Sequence, residues 1–143
     1  MTPADERLVA ALEAEHAAIY GYGVLGPKLD GATVGLAHNA DNAHRARRDA
    51  LIVRLASAGV TPPPTAASYQ LPFALTDRAS ALKLAVLLED RTGAQWRLAL
   101  PATDGEVRRI ALDALIDCTT RAAGFREAGN LTPLVAAFPG KPS

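Results

Sequence analysis

Two short segments place a carboxylate three residues ahead of an imidazole, Glu13-x-x-His16 and Asp41-x-x-His44. On a helix an i, i+3 pair lies on one face, so both side chains of each pair reach a common point. Oxygen and nitrogen donors of this kind suit iron or manganese better than copper or a thiolate-bound ion. Glu15 and Glu89 add two further acids, and Arg48 adds a guanidinium that competes with a cation for carboxylate oxygens. The same residues also satisfy a second chemistry. Buried ionic groups are tolerated when paired and hydrogen-bonded, and Glu15 with Arg48, and His16 or His44 with Asp41 or Glu89, would form such a layer. No Ser/His/Asp arrangement, phosphate loop or zinc spacing accompanies them, so no catalytic residue is assigned.

These residues need elements to hold them, and the apolar periodicity supplies four. Leu8, Leu12, Ile19 and Tyr22 recur at three- and four-residue steps in a first helix over about 3–26, opened by the Thr2-Pro3 cap. A second is predicted over 33–58, closed by Gly59, a third over 77–100 behind a Thr76-Asp77 cap, and a fourth over 106–128, stopping at Gly129-Asn130. Each is about 35 Å long. In a hairpin turning near residue 30, residue 15 lies level with 45, which sets Glu15 and His16 opposite His44 and Arg48. Glu89 lies in the middle of the third helix, level with Ala111, Ala114 and Cys118 of the fourth, where Asp113 and Asp117 turn to the flanks. The connection over 59–76 is proline-rich and too long for a tight turn. Two helical hairpins joined by such a crossover make an all-α, ferritin-like four-helix bundle over 1–130, followed by an extended tail over 131–143.

Composition narrows the function. The 143 residues suffice for one domain, and include 30 alanines, 12 arginines, 3 lysines and one cysteine. Fifteen basic and fifteen acidic residues cancel, against general attraction to nucleic acid or an anionic membrane. A single cysteine excludes an intrachain disulfide, and Cys118 reads as a small core residue. The start, Met1-Thr2-Pro3-Ala4-Asp5-Glu6, lacks the basic-then-apolar pattern of a secretory signal, and the uncharged run Leu55–Thr76 is broken by four prolines, so a cytoplasmic protein is expected. Gly21-Tyr-Gly23-Val-Leu-Gly26 matches a dinucleotide fingerprint in letters, but it ends a helix where that motif needs a strand-to-helix turn.

Three stretches carry a resemblance: Leu12-Glu-Ala-Glu-His-Ala-Ala-Ile-Tyr-Gly-Tyr-Gly23, His44-Arg-Ala-Arg-Arg-Asp-Ala-Leu51, and Pro62-Pro-Pro64 with Tyr69-x-Leu-Pro72. With the terminal Ala137-Phe-Pro-Gly140, they resemble the small alanine-rich ferritin-like proteins of high-GC Gram-positive bacteria, a group classed only as a domain of unknown function. The resemblance implies a ferritin-like bundle, often paired into dimers, and no assigned activity. The two-metal ligand pattern of the wider superfamily maps here onto Glu13 or Glu15, His16, Asp41, His44 and Glu89, with no ligands from the fourth helix. The preferred reading is a non-enzymatic homodimer without cofactor, whose buried layer of Glu15, His16, Asp41, His44, Arg48 and Glu89 is structural. The alternative is a degenerate iron or manganese oxidase.

Overall fold

The computed structural model of the chain describes residues 1–141; Pro142 and Ser143, the end of the expected tail, lie outside the described residues. Four long helices form, α1 Pro3–Leu25, α2 Gly31–Ser57, α3 Arg78–Ala99 and α4 Gly105–Ala128. No strand occurs among the described residues. Local chemistry sets the boundaries. The Thr2 hydroxyl accepts from the Asp5 amide at 3.1 Å while the Asp5 carboxylate accepts from the Thr2 amide at 2.9 Å, which satisfies two amides that a helix start leaves open. Asp77 does the same for α3 by accepting from the Ser80 amide at 2.9 Å. One 3₁₀ turn, Gly26–Lys28, ends α1 and delivers the chain to Asp30, the N-cap of α2. None of the described helices is long and apolar enough to cross a membrane.

α1 packs on α2, and α3 packs most extensively on α4; α1 also contacts α3, while α2 touches α4 more lightly. α2 and α3 therefore sit diagonally. Tyr22 meets Glu89 and Glu15 meets Trp96, so α3 runs antiparallel to α1 and in the same direction as α2. Residues 58–77 must then travel the length of the bundle, and the prolines at 62–64 and 72 keep that stretch from becoming helix. The crossover is tied down along its path. Val60 packs at one end, His16 Nε2 donates to the Pro63 carbonyl at 3.1 Å, the Tyr69 ring lies 5.5 Å from Tyr20, and Leu71 and Leu75 pack at the other end.

The apolar core has two parts. Leu8, Leu12, Leu51, Leu55 and Trp96 fill one end; Tyr22, Leu25, Leu82, Leu84 and Phe125 fill the other. Glu15, His44 and Glu89, all fully buried, lie at the level between them. Beside this layer α3 and α4 approach closely at Gly93, where a Cβ would stand 3.3 Å from the Cys118 Cβ.

Candidate functional site

Three helices bring one residue each to the centre: Glu15 from α1, His44 from α2 and Glu89 from α3. His44 Nδ1 donates to Glu15 Oε2 at 2.5 Å, and Nε2 donates to Glu89 Oε2 at 2.7 Å and faces Oε1 at 3.1 Å. An imidazole with a carboxylate on both nitrogens is held as the cation. Burial pushes its pKa down, but the bonds and charges of Glu15 and Glu89 outweigh burial and raise it from 6.5 to about 9.

The second oxygen of Glu15 accepts from Arg47 Nε and from Trp96 Nε1, each at 2.9 Å. Burial pushes the Glu15 carboxyl up, yet His44 and Arg47 more than reverse this and hold it below the ordinary range. Tyr22 donates its hydroxyl to Glu89 Oε2 at 2.6 Å, and burial together with that carboxylate drives its pKa well up, so Tyr22 stays protonated as a donor. Arg47 continues outward: Nη1 donates to Asp117 Oδ2 at 2.8 Å, and Arg121 Nε donates to the same oxygen at 2.9 Å. Three carboxylates thus meet three cations, and the cluster is neutral. Cys118 lies beside Arg47, and burial keeps its thiol protonated, which disarms it as a nucleophile.

Of the residues expected in this layer, Glu15, His44 and Glu89 come together. The others do not. Glu13 faces solvent on the outside of α1. His16 is buried but turns to the crossover at Pro63. Asp41 pairs with Arg45 one turn on, and its other oxygen, Oδ1, is buried without a hydrogen-bond partner. Arg48 is corrected to Arg47: Arg48 lies at the surface and pairs with Asp49 at 2.8 Å. Both arginines fall within about 60° of His44 on the helix wheel. The acid on α4 decides between them, because Asp117 stands on the side of α2 that Arg47 faces. Periodicity within α2 carries no information about that neighbour. Trp96 is fully buried, and nothing in the sequence assigns its indole to Glu15.

The metal implied by the resemblance does not fit this geometry. Every carboxylate oxygen of Glu15 and Glu89 faces a protein donor, both His44 nitrogens lie at hydrogen-bond distance from a carboxylate, and Arg47 occupies the outer side of Glu15. Among the described residues no group of three or more His, Cys, Asp or Glu is arranged to hold a metal ion.

The fold and this centre define a class, an all-helical four-helix bundle organised around a buried, charge-neutral ionic layer. Residues 7–143 match the family model described as Domain of unknown function (DUF4439), and the chain belongs to that family. A solved structure of a conserved hypothetical protein from Mycobacterium tuberculosis is similar, with 35% sequence identity and a TM-score of 0.85 over 88% of this chain and 96% of that one. No curated protein matches.

Proposed function

We propose that the chain is a non-enzymatic, cytoplasmic, ferritin-like bundle that acts through protein association as a homodimer, and that the Glu15–His44–Glu89 layer is its structural centre. One observation carries the structural reading. The carboxylates that would bind an ion are already saturated by His44, Arg47, Trp96 and Tyr22. The imidazolium of His44 stands between two acids, and Arg47 on Glu15 supplies a second positive charge from within the chain. The crossover and the diagonal placement of α2 and α3 support the ferritin-like description. Association is supported by the tail, where Leu134, Val135 and Phe138 are exposed. Sedimentation at micromolar concentration is expected to show a dimer that Val135→Asp with Phe138→Asp converts to monomer; a monomeric wild-type chain would overturn the association.

The competing reading, an iron or manganese site on the same residues, has one observation in its favour: two acids and a histidine converge from three helices. It requires His44 to lose its proton and Arg47 to leave Glu15. Elemental analysis after incubation with Fe(II) or Mn(II) and exhaustive dialysis separates the two. Metal near zero is expected. About one or two ions per chain, lost in His44→Ala, would establish the metal site instead.

A further inference from the structure

The segment after α4 turns back along the seam between α3 and α4 and is held there at two points. Arg126 Nη1 donates to the Leu134 carbonyl at 3.4 Å, and Arg97 Nη1 donates to the Pro139 carbonyl at 2.8 Å. We propose that residues 131–141 form a releasable strap, whose seated end keeps water out of the ionic layer.

The seated end is shaped for one position. Phe138 to Lys141 form a turn, closed by the Lys141 amide donating to the Phe138 carbonyl at 3.1 Å. Proline at its second position and glycine at its third, with φ +79°, mark a type II turn. A side chain at Gly140 would also spoil the seat, because its Cβ would stand 2.8 Å from the Arg97 Cβ and 3.0 Å from Leu115 Cδ1. Turn and seat need the same glycine.

Beneath the seat the bundle wall is thin. The same Leu115 methyl would lie 3.6 Å from a Cβ at Gly93, and the Cys118 Cβ would lie 3.3 Å from it. Small residues thus meet across the seam at this level, roofed by Leu115 and the turn. Cys118 is fully buried, and its Sγ lies 3.8 Å from Arg47 Nη2 at the edge of the layer. A cavity of about 450 Å³ under the strap reaches this wall, lined by Glu89 and Gly93 of α3, Thr119 and Arg126 of α4, and Ala136 and Pro139 of the tail. On the α2–α4 side the ion pairs of Arg47 and Arg121 with Asp117 plug the layer. On the α3–α4 side the tail is the cover, and Glu89 there has Tyr22 and His44 as donors but no guanidinium.

Cys118 is the sole cysteine, so its reaction with dithionitrobenzoate in the full chain reports opening of this wall. A buried thiol reacts only when the structure opens around it. Gly140→Val and Arg97→Ala each break the seat, and each is expected to speed labelling about tenfold. Both positions lie outside the two apolar clusters, so the variants keep the bundle, which circular dichroism checks. Their labelling rates are expected to stay flat at low urea, because releasing a strap exposes little surface. His16→Ala, which loosens the crossover instead, is expected to leave the rate unchanged. Tail variants that label at the wild-type rate overturn the proposal. So does acceleration that carries the steep urea dependence of global unfolding, or equal acceleration by His16→Ala.

Discussion

His44 concentrates the pH dependence of this protein in one side chain. Its folded pKa of about 9 lies above the unfolded value of 6.5. Below pH 6.5 both states carry the proton and the stabilisation is fully present; between 6.5 and 9 only the folded state holds it and the stabilisation falls away, and above about 9 the folded state gives up the proton too and the stabilisation is gone. The shift corresponds to about 3 kcal/mol, read as a fall in urea midpoint between pH 6 and pH 10, and a flat profile would refute the protonated bridge. Glu15 and Asp117 have the opposite sign. Burial opposes both, their cationic partners prevail, and their lowered pKa values give stability that is present above the ordinary carboxylate range and lost on acidification. Truncation separates the two neighbouring arginines. Arg47→Ala leaves Glu15 and Asp117 short of a partner and is expected to cost about 3 kcal/mol, whereas Arg48→Ala, at the surface with Asp49, is expected to cost under about 0.5 kcal/mol. Equal midpoints for the two variants would contradict the assignment.

Glycines mark the helix–helix spacing unevenly. Gly93 sits where α3 meets α4 at Cys118, while a Cβ at Gly23 would meet nothing within 4 Å. Gly93→Leu must push the helices apart and is expected to cost about 1–3 kcal/mol; Gly23→Leu gains helix propensity of up to about 1 kcal/mol and serves as the control in the same denaturation series. The elements themselves were legible because their signals are local. Thr2 with Asp5, Asp77, Gly26 and Gly129 announce helix ends through backbone hydrogen bonding that spans only a few residues. The acids and imidazole of the centre were legible because charged groups interrupt otherwise apolar stripes. Which of two adjacent arginines turns inward was not, since that choice rests on Asp117, a residue 70 positions away on a helix that makes few contacts with α2. His16 misled for a related reason. Its place on the inner stripe is real, but the crossover offers a carbonyl at Pro63, and no helical period encodes a loop's path.

Across the whole molecule the crossover and the tail hold the bundle from outside. Removing the His16 bond to Pro63 by His16→Ala is expected to cost about 1 kcal/mol and to speed amide exchange in residues 60–72 well before the helices open; uniform exchange across the chain would argue that the crossover is not separately held. The tail is seated by Arg97, which donates to the Pro139 carbonyl at 2.8 Å, and by Gly140 at φ +79°, where a Cβ would lie 2.8 Å from the Arg97 Cβ. The diagonal placement of α2 and α3 also has a kinetic consequence. Each hairpin can form from near-neighbour contacts, so Glu15 and His44, 29 residues apart, meet early; Glu89 is 45 residues beyond His44 and arrives only when the two hairpins dock. Until then an imidazolium and its first acid wait at an open face for the second, and the last charge to arrive closes the chain around the ion it has been carrying.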